Sequence, residues 1–154
     1  MSIASDKHIK TLNDLISTTL DSALGYEEAA KAALNPEFKT LFHDRALARR
    51  ELATELQAEV RQLGGKPEDE GSMTGAAHRM FLNLKNTVTG TDQSVIAEVE
   101  SGENHMKAKL DDALATEPLP ESARSVVKRA NEAVSADHDK MIALKHSLQA
   151  PSTH

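Results

Sequence analysis

The stretch 95–114, VIAEVESGENHMKAKLDDAL, most constrains what this chain can fold into. Its apolar residues recur at about 100° per residue, which is the spacing of an amphipathic helix. The face that they form contains Val95, Ile96, Val99, Met106, Leu110, Ala113 and Leu114. Glu103 falls in the middle of that same face. Because an inward carboxylate is costly unless it is paired, protonated or bound to a metal, the fold must give Glu103 a partner.

Prolines, glycines and polar turns divide the whole chain into long helical stretches. The predicted helices cover residues 5–34, 36–64, 73–115 (broken around 89–91) and 120–149. We expect Ser5 or Asp6 to cap the first helix and Asp92 to cap the helix after the break. Pro36 suits the first turn of the second helix, and the pair Gly64-Gly65 ends it.

The predicted helices are unequal in length. The stretch 73–115 is about one and a half times as long as its neighbours, and a crossover segment before the central helix accounts for the surplus. The predicted fold class is therefore all-α, a four-helix bundle of two antiparallel hairpins joined by a crossover segment. We expect one domain over residues 1–154, with a frayed tail at 149–154.

Composition excludes several classes of protein. The chain has 39% apolar residues but only one Tyr, three Phe and no Trp, so aliphatic side chains and alanine must fill the core. The net charge of -6 argues against nucleic-acid binding, which needs clustered Lys and Arg. No apolar run approaches the roughly 20 residues that span a bilayer, and we expect no membrane contact. The N-terminus lacks the apolar core of a signal peptide and there is no cysteine, which together favour a cytoplasmic protein.

Charged residues also fall on the predicted apolar faces of the other helices. On the first helix Glu27 lies on the stripe that ends at Leu34, whereas Asp21 points away from it. On the second helix Arg45 lies near the centre of the inward face and Arg49 near its edge. Other predicted inward residues of the second helix are Phe38, Leu41, Phe42, Ala48, Leu52, Leu56, Val60 and Leu63, and the last helix has His138 within its stripe.

Four phrases of the sequence are similar to a known family. The phrases TLNDLI, GYEEAA, ELQAEVRQLGGKPEDEGSMTGAAHR and AEVESGE resemble a bacterial ferritin-like family of unknown function. The resemblance extends over roughly 9–144, and the segments GGKPEDEGS and SGE are its most specific parts. It implies a ferritin-like fold in a protein that is often stress-associated.

The ferritin-like resemblance raises the question of a di-metal centre. Such a centre takes one Glu from each of two helices and a Glu-x-x-His from each of the other two. Glu27 and Glu103 suit the single glutamates, but the residue three before His138 is Ser135. The second helix has no inward Glu-x-x-His, so two expected ligands are missing and a complete di-iron centre is not expected.

Two interpretations of the inward charges follow, and the sequence leaves both open. At about 1.5 Å per residue, Glu103 falls level with Arg49, and Glu27 falls near the height of Arg45 and His138. The first interpretation is a polar ladder of ion pairs, Glu27–Arg45–His138 and Glu103–Arg49, in a structural or binding protein that forms homo-oligomers.

The alternative is a metal-binding protein or oxidoreductase that holds iron, manganese or zinc with Glu27, Glu103 and His138. A third possibility is a helical interaction module that presents Met73, Met80 and Phe81 to a partner. No complete di-metal motif, nucleophile motif or glycine-rich loop is present in the sequence. Enzymatic activity, substrate and cofactor therefore stay open at this point.

Overall fold

The computed structural model of the protein describes residues 3–71, 92–116 and 118–149. Its four helices are α1 (Ile3–Ala32), α2 (Pro36–Gln62), α3 (Asp92–Thr116) and α4 (Glu121–Gln149). No strand occurs among these residues, which confirms the all-α class and the four long helices. The predicted helical piece over 73–88, with Met73, Met80 and Phe81, and the break at 89–91 lie outside the described residues.

The ends of α2 follow the local sequence signals. The side chain of Asn35 accepts a hydrogen bond from the backbone nitrogen of Glu37 at 2.9 Å, and Pro36 opens the helix, where its missing N–H costs nothing. At the other end Gly64 has a φ of 82°, a left-handed conformation that favours glycine. The predicted start at Pro36 and stop at Gly64 are therefore confirmed.

Two cap predictions were wrong. Helix α1 begins at Ile3, so Ser5 and Asp6 lie within its first turn instead of before it. Asp92 is the first residue of α3, and its carboxylate accepts hydrogen bonds from the backbone nitrogens of Leu34 (2.6 Å) and Asn35 (3.0 Å). The carboxylate of Asp92 therefore holds the start of α3 against the α1–α2 turn.

Contacts between the helices fix their directions. Leu12, early in α1, shares a core cluster with Val60, late in α2, so these two helices run in opposite directions. Helix α3 begins beside the α1–α2 turn and therefore runs parallel to α2. Helix α4 begins at the far end of α2, where the Ser122 hydroxyl donates to Glu59 Oε1 at 2.6 Å. Helices α2 and α3 therefore run one way, and α1 and α4 the other.

Among the described residues, the core consists of two apolar clusters, one in each half of the bundle. The first contains Leu12, Leu15, Ile16, Leu56, Val60, Met106, Leu110, Ala113, Leu119, Ala123, Val126, Val127, Ala130 and Val134. The second contains Tyr26, Ala29, Ala33, Phe38, Phe42, Ala46, Val95, Ile96, Val99 and Met141. Aliphatic residues and alanine supply most of both clusters, as the composition predicts. Polar side chains lie between the two clusters along each helix.

The loop after α2 runs back along α1. Asn13 binds it twice, because its Nδ2 donates to the carbonyl of Lys66 (3.1 Å) and its Oδ1 accepts from the nitrogen of Glu68 (2.8 Å). One turn further on, the hydroxyl of Ser17 donates to the carbonyl of Glu70 at 3.2 Å. These side chains satisfy backbone groups that would otherwise need water, and so they fix the loop to the helix.

The inward face of α2 is rotated from its predicted position. Arg49 is buried and Arg45 is only partly buried, the reverse of the prediction, and Ala48 is exposed. Two alanines absent from the predicted set, Ala46 and Ala53, do face the core. The full set of buried residues on α2 is Phe38, Phe42, Ala46, Arg49, Ala53, Leu56, Glu59 and Val60. The leucines that suggested the other phase, Leu41, Leu52 and Leu63, are only partly buried and pack against the core clusters from the edges of this face.

Two predictions on α1 were also wrong. Asp21, expected to point away from the core, is buried. Leu34, expected at the end of the apolar stripe, is 70% exposed because the helix ends at Ala32 and the chain is already turning toward α2. A stripe drawn on helical periodicity holds only while the backbone stays helical.

Candidate functional site

One polar side chain from each helix meets between the two core clusters. Ser22 of α1, Arg49 of α2, Glu103 of α3 and Asp137 of α4 form this group, which we call the polar layer. Glu103 is 1% exposed and Arg49 is 2% exposed, so the layer lies inside the bundle. Four helices place these residues at one height because each position lies between an apolar stretch of the first cluster and one of the second.

Arg49 is the hub of the polar layer. Its Nη2 donates to Glu103 Oε2 at 2.5 Å and lies 3.2 Å from Asp137 Oδ2. Its Nε donates to the hydroxyl of Ser22 at 3.1 Å. The ring of Tyr26 lies beneath the guanidinium, with its centroid 5.5 Å from Cζ, which adds a cation–π contact. One guanidinium thus contacts two carboxylates, a hydroxyl and an aromatic face.

Asp137 connects the buried arginine to a more accessible one. Its Oδ1 lies 3.0 Å from Nε of Arg45, and its Oδ2 lies 3.2 Å from Nη2 of Arg49. Arg45 is partly exposed, whereas Arg49 is fully enclosed. Two guanidinium groups therefore face the two carboxylates of Asp137 and Glu103, and their formal charges cancel.

Burial sets the protonation of the layer. Burial raises the pKa of Glu103 above its usual range, and the charge and hydrogen bond of Arg49 oppose that rise without cancelling it. Burial by itself would lower the pKa of Arg49, but the neighbouring Glu103, Tyr26 and Asp137 together outweigh it, so that pKa is raised and the guanidinium keeps its proton. The pKa of Tyr26 is also raised, first by burial and then by Glu103, which keeps the phenol neutral.

The hydroxyl of Tyr26 is buried beside this charged group. It lies close enough to Glu103 for the charge of that carboxylate and a hydrogen bond to it to raise the pKa of Tyr26, but the alignment of this hydrogen bond is poor. The ring itself is well packed, with its centroid 6.0 Å from that of Phe42. Tyr26 therefore contributes to the layer through its ring more than through its hydroxyl.

The structure confirms one predicted ion pair and replaces the other. Glu103 points inward and pairs with Arg49, as predicted. Glu27 lies at the edge of the bundle with its side chain 34% exposed, and it accepts a hydrogen bond from Nε of Arg50 at 2.7 Å. Arg45 contacts Asp137 instead of Glu27. The predicted pairing of Glu27 with Arg45 was wrong because α2 is rotated, which turns Arg50 toward α1.

His138 faces the interior only in part. Its side chain is 18% exposed, and its Nε2 is buried without a hydrogen-bond partner among the described residues. Its Nδ1 lies 4.0 Å from the carboxylate of the exposed Asp139. His138 therefore follows Asp137 in sequence but makes no ion pair with the polar layer among the described residues.

The residues present do not fit the ferritin-like metal pattern. In the part of the chain that the structure describes, no group of three or more His, Asp or Glu side chains is placed to hold a metal ion. Glu103 lies at the centre and Glu27 at the edge, so the structure does not gather them into one cluster with His138. The carboxylates of Glu103 and Asp137 converge on Arg49. Metal binding by Glu27, Glu103 and His138 stays a prediction.

The sequence analysis missed three members of this site, namely Ser22, Tyr26 and Asp137. A signal for Asp137 was present, because it follows the buried Val134 by three residues and precedes the buried Met141 by four. Tyr26 likewise stands three residues from Ala23 and from Ala29, both buried. Helical spacing from known core positions would have placed both side chains inward.

Comparison with known proteins gives a family without an activity. A family model described as "Domain of unknown function (DUF2383)" matches residues 7–116, which span α1 to α3 and stop before α4. No curated protein matches the chain. None of the described helices is long and apolar enough to cross a membrane.

Proposed function

Because the chain belongs to the family described as Domain of unknown function (DUF2383), we propose a function from the chemistry of its own polar layer. The protein is a ferritin-like four-helix bundle that acts as a non-catalytic structural or binding protein. Arg49 organises its centre, at the place where a ferritin-like protein would hold metal. The contact of one buried guanidinium with the carboxylates of both Glu103 and Asp137 carries this proposal.

Helix directions support the ferritin-like part of the proposal. Helices α2 and α3 run in the same direction, and the chain between the end of α2 at Gln62 and the start of α3 at Asp92 is long enough to be a crossover. Bundles with one such long connection between two antiparallel pairs include the ferritin-like folds. We propose that the whole chain forms this single domain.

The charges of the layer support a structural role. A guanidinium supplies fixed positive charge and several N–H donors, which is what two buried carboxylates need. Both carboxylates are held by arginine, so neither is available as a general base or as an open metal ligand. Because α2, α3 and α4 each supply a charged member, sliding any of these three helices along its axis would separate the charges, and the layer fixes their register.

The metal content of the purified protein tests this proposal. Untagged protein, prepared without chelator, is expected to carry far less than one equivalent of iron, manganese or zinc, and EDTA should leave its Tm unchanged. One equivalent of metal that is lost in Glu103→Ala would overturn the proposal. That result would favour the alternative, a metal-binding protein or oxidoreductase that uses Glu27, Glu103 and His138. Glu132→Ala, which removes an exposed carboxylate of α4, is the matched control.

The cellular setting is also part of the proposal. The family resemblance supports a bacterial, stress-associated protein, and we extend this to a cytoplasmic homo-oligomer. Light scattering coupled to size-exclusion chromatography measures the oligomer directly. A monomer at all accessible concentrations would remove the oligomer from the proposal and leave the polar layer unaffected.

A further inference from the structure

We draw no further inference here: the strongest candidate, the alanine-lined cavity between α2 and α4, is bordered by arginines and carboxylates whose charges cancel, and nothing in the structure shows what covers it.

Discussion

Arg49 and Arg50 are neighbours in the chain, and each contacts one glutamate of another helix. Arg49 meets Glu103 in the interior, with both side chains almost fully enclosed. Arg50 meets Glu27 at the bundle edge, where their side chains are 48% and 34% exposed. The atoms in contact are the same, and the shortest nitrogen–oxygen distance is 2.5 Å in both pairs.

The difference between the pairs lies in what surrounds them. Water solvates the members of the outer pair whether or not they touch. The free energy gained by their contact is therefore nearly balanced by the hydration that they lose. Water does not reach the inner pair, so each member depends on the other to balance its charge. The inner pair also shares Asp137 and Ser22, which makes it part of a network. Burial, more than contact geometry, should therefore decide how much each pair matters.

The largest effect is expected from Arg49→Leu. This change leaves Glu103 buried without its charge partner, at a cost on the order of 3–5 kcal/mol in the free energy of unfolding. Asp137 keeps Arg45, so the loss should concentrate at Glu103. Denaturant unfolding followed by circular dichroism measures the effect.

Adding Glu103→Leu to Arg49→Leu should recover much of that loss, because no unpaired charge then remains inside. A double-mutant cycle gives the coupling energy of the two residues. Additive losses would mean that the pair does not interact, and a bound metal at Glu103 would then become the better explanation of its burial.

The pH dependence of the Arg49→Leu penalty sharpens the comparison. Native Glu103 has a raised pKa, so it binds its proton at a higher pH than in the unfolded chain, and this group favours folding more as the pH falls. The charge and hydrogen bond of Arg49 lower the pKa of Glu103, so the substitution of Arg49 should raise that pKa further. The penalty should therefore shrink as the pH falls through the raised pKa toward the ordinary value of 4.5. A penalty that grows on acidification would contradict the raised pKa.

The same measurement on Glu103→Gln supplies the control, because glutamine does not titrate. Relative to Glu103→Gln, the wild-type protein should gain stability as the pH falls from neutral toward 4.5. The difference between the two curves isolates the titration of Glu103 from that of the other carboxylates.

The sequence predicted the helices far better than it predicted the site. Proline, glycine and apolar periodicity are local signals, and they placed the ends of α2 within two residues. The phase of α2 was less secure, because Leu41, Ala48 and Leu52 form a second apolar stripe beside the true one. Which stripe faces the core depends on where α1 and α4 lie, and that is a tertiary property.

The pairing of Glu103 with Arg49 was predictable because it depends only on the position of each residue along the bundle axis. Counting residues from the turns gives the level of a side chain, even when its angle around the helix is wrong. Asp137 was missed because a short acidic residue inside a helix usually faces solvent. Its spacing from Val134 and Met141 places it on the inward face, but what stabilises a carboxylate there is known only once two arginines are seen to face it.

Within the polar layer, the hydroxyls of Ser22 and Tyr26 should differ in importance. Ser22→Ala removes the acceptor for Nε of Arg49 and should cost about 1–2 kcal/mol, because a buried charged donor loses its partner. Tyr26→Phe keeps the ring under the guanidinium and removes a hydroxyl without a good hydrogen bond, so it should stay within about 0.5 kcal/mol of wild type. Equal losses in thermal or denaturant unfolding would show that the Tyr26 hydroxyl is engaged by Glu103 after all.

The smallest effect is expected from Arg50→Leu, the counterpart of the first substitution at the adjacent position. Its pair with Glu27 is exposed to water and screened by salt, so the free energy of unfolding should fall by about 0.5 kcal/mol at low ionic strength and by less at high salt. A cycle with Glu27→Leu should give a coupling energy several times smaller than that of Arg49 with Glu103. Comparable coupling energies, unaffected by salt, would mean that burial does not separate the two pairs. The structural role proposed for the buried pair of Arg49 and Glu103 would then lose its support.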